Sequence, residues 1–104
     1  MTQEEAAQLL ASHRRSIDEI DRRIVACLNE RACVVEHIGR IKQQMIMPVY
    51  EPKREDDVFR NVTDNNPGPM PSDAVRRVFE RIIDEMRTLQ RIRMQSAQSR
   101  EKEF

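Results

Sequence analysis

Along the first part of the chain, hydrophobic residues recur with the period of an α-helix. Stepping by seven gives Ile17, Ile24, Arg31, Ile38 and Met45, and a companion series runs Ile20, Cys27, Val34 and Ile41. Seven residues make nearly two turns, so each series follows one side of a helix. Thr2 and Glu5 form a capping box that opens this helix. No proline interrupts it before about Met45, and Gly39 is its one weak position. Its length would be roughly 60 Å. Met47-Pro48-Val49-Tyr50 reads as extended, because proline restricts the residue before it. Glu51-Pro52 starts a second helix, with proline near the first position, expected to end at about Thr63. Asp64-Asn65-Asn66-Pro67-Gly68-Pro69-Met70-Pro71 is a loop by composition. Ser72 is expected to cap a third helix, whose apolar positions are Val75, Val78, Phe79, Ile82, Ile83, Met86 and Leu89. The prediction is an all-α fold of three helices per chain, one very long. Residues 1–94 form one helical domain, and the polar tail 95–104 is expected to fray. There is no internal repeat.

The long helix raises a problem of coverage. A compact domain of this size has a radius of gyration of only roughly 13 Å. The remaining residues of one copy cannot cover a helix of that length, and its apolar stripe would stay in water. A dimer in which two long helices pack along each other solves this. An ordinary coiled coil is the alternative, but the proline-rich breaks and the third amphipathic helix argue against it.

Composition narrows the function. The 104 residues contain 18 Lys and Arg against 18 Asp and Glu, for a formal net charge of zero. Nucleic-acid binding needs an excess basic field and is not expected. No apolar run reaches the length of a membrane span, and the acidic start Met-Thr-Gln-Glu-Glu lacks the apolar core of a signal peptide. The expected compartment is the cytosol. Cys27 and Cys33, six positions apart on one helix, point in different directions and cannot pair within it; both read as reduced packing residues. His13 and His37 have no partner at ligand spacing and read as solvated, so neither metal nor cofactor is expected.

Several polar residues interrupt the pattern. Arg31 occupies a position where packing would place a leucine, and an unpaired buried guanidinium is very costly. Lys42 lies about 20° away around the helix and roughly 16 Å further along it. Two cations on one side of an apolar surface suggest a pocket for a small anion. Arg14 is roughly 25 Å from Arg31 along the axis and about 100° around it, so the pair cannot grip one small molecule within a chain. In an antiparallel dimer, Arg14 of one chain could approach Arg31 of the other; alone, it reads equally as a solvated helix-end arginine. Arg54 and Glu55 fall in the first turn of the second helix, where glutamate suits the helix dipole, and are explained as well by a simple charge pair. Gln90, four residues after Met86, lies on the inner side of the third helix. Buried, its amide needs partners; a surface glutamine is the ordinary alternative. Arg91-Ile92-Arg93 reads as a solvated face.

Taken in order, these residues resemble the all-helical chorismate mutases over residues 10–90. The resemblance is carried by Arg14 with Ile17-Asp18-Glu19-Ile20-Asp21, by Leu28-Asn29-Glu30-Arg31 and by Gly39-Arg40-Ile41-Lys42. Pro48-Val49-Tyr50-Glu51-Pro52-Lys53-Arg54-Glu55, Phe79-Glu80-Arg81-Ile82-Ile83 and Gln90 complete it. No single short motif is specific; the ordered set is. The resemblance implies an intertwined homodimer whose two active sites each take one arginine, matched by Arg14, from the partner chain. It implies chorismate as substrate and prephenate as product, in the biosynthesis of phenylalanine and tyrosine. Arg14 and Arg31 would bind the carboxylates, and Lys42 and Gln90 the ether oxygen. Glu55 would hold the ring hydroxyl, supported by Arg54 and the backbone near Glu51. The chain departs from the family at Met86, where a small hydroxyl residue is common, and at Glu51, where aspartate is frequent.

Such a reaction suits these residue types. A Claisen rearrangement needs no nucleophile, only a folded substrate and fixed donors where negative charge builds. An isochorismate–pyruvate lyase would share the fold and the cations, but Glu55 suits the hydroxyl position of chorismate. A non-enzymatic helical dimerisation module leaves Arg31, Lys42 and Gln90 unexplained. Nothing resembles a fused prephenate dehydratase or dehydrogenase, so a single activity is expected.

Overall fold

The structure, a computed structural model, describes the backbone of residues 1–102 and the side chains of residues 1–96. Three helices follow one another: α1 (Gln3–Met45), α2 (Pro52–Asp64) and α3 (Ser72–Lys102). No strand occurs among the described residues. The all-α fold class and the order of long, short and intermediate helices agree with the sequence pattern.

Local chemistry accounts for the helix ends. The Glu5 amide donates to Thr2 Oγ1 at 3.1 Å, satisfying one of the free N–H groups of the first turn. Glu4 and Glu5 lie at the same end, where the helix dipole favours anions. At the other end, Met47 N donates to Lys42 O at 2.7 Å and Ile46 N to Gln43 O at 3.4 Å. These are the two bonds of a Schellman cap, which requires a left-handed residue between them. That residue is Ile46, at φ 55. Glycine is usual there; a β-branched side chain in this region is strained. α2 begins at Pro52, whose missing N–H costs nothing at the first helical position. It extends to Asp64, one residue beyond the expected end.

α3 departs from expectation at both ends. Pro71, not Ser72, holds the cap position, because Pro71 O already accepts from Val75 N at 3.1 Å. Ser72 lies inside the first turn, with its hydroxyl 3.4 Å from Asn66 Nδ2. The backbone is also helical past residue 95, as far as Lys102. The polar tail lacks glycine and proline, so nothing local stops the backbone hydrogen bonds from propagating.

The chain divides into two compact units, Met1–Cys33 and Val34–Phe104. The first is a single helical segment. Its apolar side chains Leu9, Leu10, Ile17, Ile20, Ile24 and Val25 are all exposed. Cys27, which the sequence pattern treats as a packing residue, is free and exposed; so is Cys33.

In the second unit, α2 packs on α3. The apolar core is small: Val35 from α1, Phe59 from α2 and Ile83 from α3. α3 passes beside Gly39, where a Cβ would meet Gln90 Cγ at 3.6 Å, an ordinary van der Waals contact that does not itself require glycine. Phe59 is capped by the Arg76 guanidinium, 4.3 Å above its ring. Val34, Ile38, Ile41 and Met45 remain exposed, as does Val78 of α3. The helical periodicity thus marks a stripe that the chain itself leaves in water.

Candidate active site

Lys42 lies near the end of α1 and is only 8% exposed. Its position in the last turn sets a cation against the negative end of the helix dipole. Its ammonium donates to the carbonyl oxygen of Val49 at 3.0 Å and pairs with Glu51 Oε1 at 2.9 Å. Both partners lie in the connection to α2, so Lys42 ties that connection back onto α1. Glu51, at the cap position of α2, makes no side-chain cap; its carboxylate goes to Lys42 instead. An ammonium has three donors and these contacts occupy two, which leaves one N–H for another acceptor.

Gln90 lies on the inner face of α3 and is 9% exposed. The inner reading of this residue therefore holds over the surface reading. Its Oε1 is buried without a hydrogen-bond partner. A half-turn about the last side-chain bond exchanges the oxygen for the NH₂ group, so the amide can present either an acceptor or a donor to a molecule placed there. Among the described residues, Lys42 and Gln90 are the buried polar side chains. Burying such groups is costly unless something pairs with them.

Glu55, in the first turn of α2, is held by a residue that the sequence reading missed. Arg87 Nε stands 3.3 Å from Glu55 Oε2, and Arg87 Nη2 stands 3.5 Å from Glu55 Oε1. The Arg87 guanidinium also contacts Asp84 Oδ1 at 2.8 Å and lies 5.2 Å from the centre of the Tyr50 ring. A sequence signal existed: Arg87 is four residues after Ile83 and three before Gln90, hence on the same inner face. Arg54 is exposed and Met86 half-buried. In the first unit, Arg14 is exposed and Arg31 half-buried.

A cleft of about 210 Å³ opens beside Gln90, lined by Glu36, Gly39 and Arg40 of α1 and by Gln90, Arg93 and Met94 of α3. Glu36 and Arg93 face each other across 3.3 Å, so Arg93 is an ion-pair partner as well as part of the polar face read from the sequence. Of the residues picked from the sequence, only Gln90 lines this cleft. The Lys42–Glu51 and Glu55–Arg87 pairs lie outside it; they bring together buried Lys42 and the partly shielded Glu51, Glu55 and Arg87.

The fold and these groups define a small all-helical domain that buries a lysine and a glutamine around little else that is polar. The family model described as chorismate mutase type II matches residues 13–91, and the chain belongs to that family, a family of isomerases. It is 40% identical over 84 residues to a bifunctional chorismate mutase/prephenate dehydratase of Neisseria gonorrhoeae, covering 81% of this chain but only 23% of that protein. A chorismate mutase of Methanocaldococcus jannaschii is 27% identical over 101 residues, covering 89% of this chain and 95% of the other. Among solved structures, chorismate mutase form II of Thermus thermophilus superposes with a TM-score of 0.77 at 33% identity, covering 79% of this chain and 93% of that one.

Proposed function

We propose that this chain rearranges chorismate to prephenate, in aromatic amino acid biosynthesis. The observation that carries the reading is that Lys42 and Gln90, both buried, are the two residues the family resemblance assigns to the ether oxygen. In the rearrangement one C–O bond breaks and one C–C bond forms within the substrate, with no proton or leaving group exchanged. The protein's task is to hold a reactive fold of the substrate and to stabilise negative charge growing on the ether oxygen. The third N–H of Lys42 and the amide of Gln90 supply that stabilisation. Arg31 would clamp one carboxylate, in the bidentate geometry that arginine favours. Glu55 would accept a hydrogen bond from the ring hydroxyl, with Arg54 and the backbone at Glu51 supporting that end and Met86 adjoining the substrate.

The same reading assigns the second carboxylate to Arg14 of the partner subunit in an intertwined homodimer. Supporting it is the row of exposed apolar side chains on α1, which a second copy would cover. Activity would reside in residues 1–94 and none in 95–104. The free thiols of Cys27 and Cys33 suit the reducing cytosol, and no described helix is long and apolar enough to cross a membrane. The test is direct. Purified protein is given chorismate and, separately, isochorismate, and the products are identified. Prephenate from chorismate is the expected result. Pyruvate release from isochorismate, without prephenate from chorismate, would replace the mutase reading with the lyase.

A further inference from the structure

We infer that Arg87 is a positioning residue that fixes Glu55 for recognition of the substrate's ring hydroxyl, an inference that rests on the role proposed above for Glu55. Glu55 stands near the start of α2, and its side chain would otherwise sample several rotamers. Arg87 reaches it from α3, 32 residues away, with Nε near one carboxylate oxygen and Nη2 near the other. Two guanidinium nitrogens thus face the two carboxylate oxygens, one through a long hydrogen bond and one through charge alone, which limits the rotamers of Glu55 more than a single-point ammonium contact would. Both side chains are largely shielded, at 27% and 20% exposure, so the pair is less screened than a surface bridge.

The distances matter as much as the pairing. Contacts of 3.3 and 3.5 Å are longer than the roughly 2.7–2.9 Å of a saturated charge-assisted bond. Arg87 Nε is buried and makes no aligned hydrogen bond. Glu55 is therefore held but not consumed, and its oxygens keep lone pairs for a hydroxyl donor. Arg87 is itself held on two other sides, by Asp84 at 2.8 Å and by the face of Tyr50 at 5.2 Å. Asp84 lies in the preceding turn of α3, so the guanidinium is oriented before any substrate arrives. The positive charge also offsets the Glu55 carboxylate, which would otherwise repel a dicarboxylate substrate.

A double-mutant cycle tests this, with Arg87→Met, Glu55→Gln and the pair, read as kcat and KM for chorismate. Arg87→Met should lower kcat/KM between about tenfold and a hundredfold, mainly through KM. In the Glu55→Gln background the same change should have little further effect, because Arg87 acts through the carboxylate. Arg87→Lys keeps the charge without the fork and should fall between the parent and Arg87→Met; it also serves for the cycle if Arg87→Met does not fold by circular dichroism. Additive losses, or full activity in folded Arg87→Met, would overturn the inference. A parent protein that makes no prephenate would overturn the mutase reading instead, so the two failures are told apart.

Discussion

Replacing Lys42 by methionine separates the structural work of its ammonium from the catalytic work proposed for it. Methionine keeps the length and apolar stem but removes all three donors. The folded state then loses the bond to Val49 O and the pair with Glu51. An abandoned, partly buried carbonyl costs about 1–3 kcal/mol. Glu51 is 38% exposed on its side chain and returns to water, so its pair contributes at most about 1 kcal/mol. The apolar stem stays packed, which offsets part of this. A net destabilisation of about 2 kcal/mol follows, or an unfolding midpoint lower by about 10 °C at fixed protein concentration. Lys42, read from sequence as one of two cations on an apolar surface, thus also tethers the connection to α2 at Val49 and Glu51. The catalytic loss should be larger: removing one donor aimed at developing negative charge costs roughly 3–4 kcal/mol, a hundredfold to a thousandfold in kcat. The assay follows chorismate disappearance at a temperature where circular dichroism shows the variant fully folded. If folded Lys42→Met turned over substrate within about threefold of the parent, a loss of under 1 kcal/mol, Lys42 would be a structural lysine only and the assignment to the ether oxygen would fail.

Three further outcomes are expected. Gln90→Glu can donate a hydrogen bond only when its carboxyl is protonated, so its turnover should rise as pH falls across about 9 to 4; parental activity with a flat profile would remove Gln90 from the donor role. Arg14→Ala and Arg31→Ala should each be nearly inactive, yet exchanged subunits should regain activity through heterodimers with one intact site. No recovery in verified heterodimers would count against a site shared across chains. Ile46→Gly should stabilise the protein by about 0.5–1 kcal/mol, since relief of the left-handed strain, about 1–2 kcal/mol, outweighs the entropy glycine adds to the unfolded chain. Ile46 is 93% exposed, so little packing is lost within the chain; a lower denaturation midpoint would mean that this side chain is covered in the assembly.

The helices could be read from the chain because their causes are local. Seven-residue apolar spacing, the Thr2 cap and Pro52 at a first helical position act within a turn or two. Lys42 and Gln90 could be singled out for the same reason: each interrupts a face that its neighbours mark as inward. The errors also have local form. Pro71 rather than Ser72 caps α3, since either residue can occupy the position and the loop geometry chooses. Polarity suggests a frayed tail after residue 94, yet a polar stretch without breakers can continue a helix already formed, as the backbone does to Lys102.

What the chain could not reveal alone is which charges meet. Lys42 finds a backbone carbonyl at Val49, a group every residue carries and no pattern distinguishes. Arg87 meets Glu55 across 32 positions, an encounter created when α2 packs on α3. Ile46 takes a glycine's place in the α1 cap because the next residue must turn back to Lys42 O, not because isoleucine favours that conformation. Periodicity is a property of neighbours along the chain, whereas ion pairs, orphaned amides and strained caps belong to segments brought together in space. The sequence by itself determined three helices and the polar residues that break their faces; the tertiary structure decided which partners those residues meet.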